Sequence, residues 1–284
     1  MYGAIIGDFI GSIYEYKEFN DSLKKQINVL RRKTSSEEQI LLKNNCFYSD
    51  DTILTIAVLD SILNKKSYEE SIKKYILDAS IVCQTNETTF ANPFSPRLLQ
   101  WAKGEKPNDS FGNGAAMRVS PIAYLYDDLE TILSETKKCT IVSHNTKEAI
   151  DGAQAVATSI YLSRKGYKKD YIKNFIEEKF NYNLNLNIEK LHNEYTFSST
   201  TLTSIPQAIY IFLISNSFEE IMRNALYIGG DTDTIACIAG SIGEAFYGID
   251  QNTIKTVNKK LPNKFINLLN NAYKHINSNK KQSL

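Results

Sequence analysis

Gly229-Gly230-Asp231-Thr232-Asp233-Thr234, running into Ile235 to Gly248, is the stretch from which the rest of the chain can be read. Two glycines allow a tight turn. Two carboxylates and two hydroxyls follow at once, where a long apolar helix begins. Ala236, Ala239, Gly240, Gly243 and Ala245 keep that helix thin enough for another to approach closely, which places it in the core. A single Asp at a helix start is ordinarily an N-cap. Asp231 and Asp233 together exceed what capping needs.

A second cluster has the same form. Ser49-Asp50-Asp51-Thr52 precedes a helix from Ile53 to Leu63, whose apolar positions Ile53, Leu54, Ile56, Ala57, Leu59, Ile62 and Leu63 are too many for a narrow stripe. Two largely buried helices therefore each open on paired Asp residues flanked by hydroxyls. If the two starts meet, four carboxylates converge and repel one another unless protonated or neutralised. Oxygen-only donors suit a hard cation such as magnesium, manganese or calcium. Neither cluster holds Cys or His, which argues against zinc.

Outward from these clusters the chain reads as helices. Met1 to about Tyr16 carries glycines at 3, 7 and 11, one on each successive turn of one face, so a partner helix can pack on bare backbone. Asn20 to Asn45 is a polar loop. Ser67 to Val82 is a helix, with Ser67 and Glu70 spaced as a capping box. Pro93, Pro96 and Pro107 interrupt the next stretch, where Leu98, Leu99 and Trp101 mark a short helix. Ser110 to Gly114 is a turn-rich loop. Helices are expected over Ala115–Tyr124, from Asp127 toward His144, and over Asn145–Lys165, Asp170–Phe180, Pro206–Ser215 and Phe218–Tyr227. Asn181 to Thr203 reads as a long surface loop. No alternating strand pattern and no repeat period emerges. The expectation is an all-α fold in one domain over 1–275, with a frayed tail over 276–284.

The chain has 284 residues, 42% of them hydrophobic and 23% charged, as in an ordinary globular protein. A formal net charge of +1 gives no electrostatic footprint for nucleic acid. Cys46, Cys83, Cys139 and Cys237 show no CxxC spacing, and the N-terminus lacks a basic region ahead of its apolar run, so a reduced cytoplasmic chain is expected. No apolar run approaches the roughly 18 residues needed to span a membrane.

Five stretches in order carry a resemblance. They are Gly7-Asp8-Phe9-Ile10-Gly11-Ser12-Ile13-Tyr14-Glu15, Ser49-Asp50-Asp51-Thr52, Gly112-Asn113-Gly114-Ala115-Ala116-Met117-Arg118, Ser143-His144-Asn145, and Gly229 to Thr234. Over roughly residues 1 to 250 the chain resembles the ADP-ribosylglycohydrolase family, the group that includes the dinitrogenase reductase-activating glycohydrolase. Any one stretch is a weak signal; five in order are a strong one.

The resemblance implies a compact orthogonal helical domain with a binuclear magnesium or manganese cleft at helix N-termini. It implies metal ligands at Ser49, Asp50, Asp51, Asp231, Asp233 and Thr234. It implies hydrolysis at the anomeric carbon of an ADP-ribosylated protein side chain, arginine first and serine second, or of a small conjugate such as O-acetyl-ADP-ribose. The implied substrate is thus an ADP-ribosylated protein or small conjugate, with an ADP-ribosyltransferase as a possible paired partner and no nucleic acid or membrane.

Such a reaction builds positive charge on the ribose and needs acid and base groups. By resemblance Glu15 is the general acid/base or gate, and Asp50, Asp51 and Asp233 are the other catalytic carboxylates. Asp50 and Asp51 cannot be divided between ligand and base. Ser110, Phe111, Gly112, Asn113 and Gly114 match a loop that contacts diphosphate and ribose; Met117 is implied as a further substrate-binding residue, and His144 as one that hydrogen-bonds the substrate. Glycines there expose backbone N–H groups to phosphate, and Phe111 can pack on a sugar or base. Two departures stand out. Ser49 replaces the Thr of many relatives and keeps the hydroxyl. Asn92-Pro93-Phe94-Ser95-Pro96 stands where bacterial relatives often carry glycines. A non-catalytic ADP-ribose reader or an immunity protein on the same scaffold is the competing reading; its sign would be loss of the oxygen donors, and all of them are present.

Overall fold

Three glycines decide which helices meet. Helix α1 (Tyr2–Gly11) is buried along its whole length. A Cβ added at Gly3 would lie 2.1 Å from the Gly240 carbonyl oxygen, at Gly7 2.1 Å from that of Ala236, and at Gly11 2.3 Å from Asp233 Cα. So α1 runs backbone to backbone along α12 (Thr232–Tyr247), the small-residue helix. Each glycine costs about 1 kcal/mol of helix propensity; close packing along the whole seam offsets it. The seam also sets register. Gly11 is level with Asp233, and Thr232 Oγ1 donates to the Gly11 carbonyl at 3.0 Å, so the end of α1 lies at the acidic start of α12.

The computed structural model describes residues 1–14, 41–81, 83–84, 89–90, 93–104 and 109–282. Helix α2 (Asp50–Leu63) packs against α1, and its Ile53, Leu54, Ile56 and Leu59 are fully buried. Each such side chain contributes roughly 1.5–3 kcal/mol, enough together to hold an acidic helix start in the interior. α3 (Tyr68–Leu77) lies on α2, and α4 (Pro96–Ala102) on α3. α5 (Ser120–Leu125), α6 (Leu129–Ile141), α7 (Lys147–Arg164) and α8 (Lys169–Phe180) follow. After α9 (Ile188–Glu194) come α10 (Thr201–Ile214) and α11 (Phe218–Ile228), which with α7 surround α12. α13 (Gln251–Asn258) and α14 (Asn263–Gln282) close the chain. Phe265 of α14 meets Tyr48 at 6.0 Å and Tyr75 of α3 at 6.2 Å between ring centres, and Tyr48 meets Phe9 of α1 at 5.9 Å.

The all-α expectation holds. Cys83–Gln84 and Thr89–Phe90 form one small antiparallel pair. Ser67 caps α3 as its spacing predicted, accepting from Glu70 N at 3.1 Å, but the helix stops at Leu77 rather than Val82. The helix expected over Ala115–Tyr124 is a short 3-10 turn, Asn113–Ala115, followed by α5. The surface loop expected over Asn181–Thr203 contains α9, capped by Asn187, whose side chain accepts from Lys190 N at 2.9 Å. α10 begins five residues ahead of Pro206 and carries that proline inside it. α14 runs to Gln282. Glu15, Tyr16, Asn92 and most of Asn20–Asn45 lie outside the described residues.

Candidate active site

Asp8 ties the two acidic clusters together. It sits two-thirds of the way along α1 and is fully buried. Its Oδ1 accepts from Ser49 Oγ at 2.8 Å; its Oδ2 accepts from Ser49 N at 2.9 Å, Thr52 N at 3.0 Å and Thr52 Oγ1 at 2.5 Å. Asp8 thus caps α2 from another helix and takes up N–H groups that α2 has no partner for. Asp8 belongs to the first of the five ordered stretches, but nothing in its neighbouring residues assigns it a role. The signal available was a carboxylate in an otherwise apolar, glycine-stepped helix, which burial obliges to find partners.

The starts of α2 and α12 converge, which settles the condition that the sequence left open. Asp8, Asp51 and Asp233 each bring a carboxylate oxygen within 4.8 Å of the others. Ser49 Oγ lies 3.4 Å from Asp51 Oδ2 and 3.5 Å from Asp233 Oδ2, and Thr234 Oγ1 lies 3.4 Å from Asp51 Oδ2. Asp233 Oδ1 accepts from Thr234 N at 2.8 Å. Asp231 Oδ2 accepts from Asn113 Nδ2 at 2.7 Å. Asp51 is different: its Oδ1 is buried with no hydrogen-bond partner.

Electrostatics follow from this crowding. Burial pushes Asp8 up to about 6, while the donors on Ser49 and Thr52 pull it back. Burial, then the charges of Asp8, Asp50 and Asp231, raises Asp51 well above the usual carboxylate range. Burial raises Asp231 against hydrogen bonds from its neighbours. An orphaned buried oxygen among mutually repelling carboxylates, with hydroxyls alongside, is a donor set that fits a hard cation. The three clustered carboxylates are not equal candidates, however. Asp8 already accepts protein donors on both oxygens, so it fits the role of anchor, and Asp51 and Asp233 fit that of ligand.

Asp51 and Asp233 floor a cleft of about 740 Å³. Ser49, Asp50, Asp51, Asp231, Asp233 and Thr234 all line it. So do Ser110, Phe111, Gly112, Asn113, Gly114, Met117 and His144. The Ser110–Gly114 loop is held by the chain that follows α9. Asn113 N donates to Ser199 O at 2.9 Å, Thr201 N to Phe111 O at 2.8 Å, and Thr201 Oγ1 to Gly112 O at 2.9 Å. That pairing leaves Phe111 and Phe197, each about half exposed, on the cleft rim. Sequence reasoning missed Phe197, Ser199 and Thr200 as lining residues, because nothing local marks a polar loop as folding back on a stretch some 90 residues earlier.

Asn113, Gly230 and His144 each have a structural setting of their own. Asn113 is buried, and its amide nitrogen is committed to Ser204 Oγ at 2.9 Å and to Asp231; it orients a carboxylate more directly than it reaches a ligand. Gly230 has φ +78°, and a Cβ there would strike the Tyr195 ring at 2.3 Å, so the glycine pair admits Tyr195 of the 181–203 segment over the α12 start. His144 is buried, and burial, with the charges of Arg118 and Arg97 behind it, pushes its imidazole down to about 3.

Known proteins share this arrangement of sequence. The chain matches the ADP-ribosylglycohydrolase family over residues 1–278. It is 26% identical over 312 residues to ADP-ribosylhydrolase ARH3 of Homo sapiens, covering 88% of this chain and 84% of the relative. It is 25% identical over 314 residues to ARH3 of Bos taurus, with the same coverage. It is 24% identical over 248 residues to the uncharacterized protein YegU of Escherichia coli, covering 73% of each. A solved structure described as an ADP-ribosylglycohydrolase-related protein complex superposes with a TM-score of 0.63 at 19% identity, over 97% of this chain and 92% of that one, a likeness of fold. The acidic starts of two helices, tied by Asp8 beneath a Gly-rich loop, thus belong to a chain of the ADP-ribosylglycohydrolase family.

Proposed function

We propose that the cleft hydrolyses the bond at the anomeric carbon of an ADP-ribosylated group, on two divalent cations, magnesium or manganese. The modified group is a protein side chain, with arginine the first linkage to test and serine the second; an ADP-ribosyltransferase would then be its upstream partner. The observation that carries this is Asp51 Oδ1, a buried carboxylate oxygen without a hydrogen bond in a cluster of carboxylates and hydroxyls at the floor of a cleft. Its volume of about 740 Å³ lies within the range of small-molecule sites.

Ser49, Asp50, Asp51, Asp231, Asp233 and Thr234 would hold the cations. When bound, such ions orient the ribose hydroxyls and lower the pKa of water. Ser49 donates its proton to Asp8, which leaves a lone pair turned to the cluster. The carboxylates stabilise the positive charge that develops on the ribose as the bond breaks. Glu15, the proposed acid/base or gate, lies outside the described residues. Phe111 and Phe197 offer flat apolar faces for the base or sugar. Arg97, exposed in the cleft wall, brings positive charge toward the diphosphate.

The test is release of free ADP-ribose from ADP-ribosyl-arginine and ADP-ribosyl-serine peptides, with magnesium, with manganese and with chelator. Metal-dependent release from one peptide supports the proposal and names the linkage. Tight ADP-ribose binding without release from either would replace it, either with a small conjugate such as O-acetyl-ADP-ribose as substrate or with a reader or immunity role.

A further inference from the structure

Behind the cleft wall lies a hydrogen-bonded chain that the proposed hydrolysis does not use. Arg118 follows the Gly-rich loop and is fully buried. Its Nη2 donates to the Cys139 carbonyl at 2.9 Å and to Ser143 Oγ at 2.8 Å. Ser143 Oγ lies 2.8 Å from His144 Nδ1. On the other edge of the ring, Nε2 would be 3.4 Å from a Cβ at Gly112 and 3.6 Å from one at Gly114. The two missing side chains therefore leave that nitrogen open to the cleft, which His144 lines.

The direction of these bonds is set by chemistry. A guanidinium has only donors and stays charged. Ser143 Oγ must therefore accept from Arg118. A hydroxyl has one proton, and with Ser143 buried among the described residues, His144 Nδ1 is the acceptor within reach. If Nδ1 carried the ring proton instead, Ser143 would accept twice and its own proton would be buried unpaired, which is disfavoured. The ring proton then belongs on Nε2. Burial and two nearby guanidinium groups keep the ring neutral.

We infer that Arg118 and Ser143 are positioning residues that lock His144 as the neutral Nε2–H tautomer, so that it donates a hydrogen bond to a phosphate or ribose oxygen of the substrate and does not act as a base. The inference rests on the proposed ADP-ribose substrate for the identity of the acceptor, but the tautomer itself is a property of the unliganded protein. It leaves proton abstraction in this site to a carboxylate.

The experiment is nitrogen NMR of the full chain labelled at histidine, with the His144 signals assigned by their loss in His144→Gln. The expected result is a pyrrole-type Nε2 and a pyridine-type Nδ1, unchanged between neutral and mildly acid pH. Ser143→Ala should move both shifts toward the average of two exchanging tautomers and weaken ADP-ribose binding roughly tenfold. Ser143→Thr, which keeps the hydroxyl, should restore both, a rescue that a merely structural role would not give. Loss with both ADP and ADP-ribose as probes places the acceptor oxygen on the diphosphate; loss with ADP-ribose alone places it on the terminal ribose. A pyrrole-type Nδ1 in the wild-type protein overturns the inference. So does a Ser143→Ala variant that folds normally and changes neither shifts nor binding. Failure of peptide hydrolysis with the tautomer as expected would instead count against the proposed function alone.

Discussion

Asp51→Asn is the most informative single change. Asp51 Oδ1 has no hydrogen-bond partner, and the contacts of Oδ2 with Ser49 and Thr234 are both long, at 3.4 Å. Replacing the carboxylate by an amide therefore costs little hydrogen bonding. It removes a carboxyl group that burial and the charges of Asp8, Asp50 and Asp231 make costly to ionise. The folded state holds protons on Asp8 and Asp51 that the unfolded chain releases near 3.8. Metal-free stability is thus full below that value and is lost as pH rises through the folded value, which is about 6 for Asp8. That shift alone corresponds to about 3 kcal/mol by neutral pH.

A cation at a hundred times its Kd returns about 2.7 kcal/mol. At about 2–4 °C per kcal/mol for a chain somewhat shorter than this one, Tm should rise by roughly 5 °C or more. The assay is thermal unfolding at neutral pH with chelator, magnesium or manganese. Wild-type protein should gain Tm with metal. Asp51→Asn should match or exceed wild-type Tm in chelator and lose the metal-dependent gain. A variant several degrees less stable in chelator that still responds to metal would refute the assignment of Asp51 as a repelled ligand.

Other changes test other links. Gly7→Ala puts a Cβ 2.1 Å from the Ala236 carbonyl oxygen, with backbone on both sides; overpacking of this kind costs about 1–3 kcal/mol, so Tm should fall by several degrees, and an unchanged Tm would contradict the α1–α12 seam. Phe111→Ala should leave Tm unchanged, because the residue is 55% exposed, and should weaken ADP-ribose about tenfold, since aromatic stacking on a base contributes about 1–3 kcal/mol; calorimetric titration reads this directly, and unaltered affinity would remove Phe111 from the site. Asn113→Asp exchanges the amide that donates to Asp231 for another carboxylate at 2.7 Å; metal-free stability should fall at neutral pH and recover on acidification, and a flat pH profile would show that Asn113 does not orient Asp231.

Much of the site was legible because its parts are local. The paired Asp residues, their hydroxyls and the helices they open all lie within short windows, and each cap or turn is set by its own neighbours. Glycines at 3, 7 and 11 announced a backbone-to-backbone seam because only a missing Cβ allows one. The same locality explains the misses. The polar segment 181–203 has no strong apolar period, and its helix is held by one Asn cap and by packing on α11. Pro206 marked a helix start by rule, yet Thr201 is fixed by Phe111 and Gly112, so the helix begins a turn and more earlier.

The sequence by itself therefore determined an all-helical chain, two acidic helix starts with oxygen-bearing side chains and, by five ordered stretches, the family. Only the tertiary structure decided what joins them: Asp8 capping a helix whose N-cap, Ser49, lies 41 residues later, Asn113 holding Asp231 across 118 residues, and Arg118 fixing Ser143 behind His144. The reason is physical. A helix start needs only neighbours in the chain, whereas a buried carboxylate or guanidinium must find its partners in space, and no local period records which distant residue supplies them.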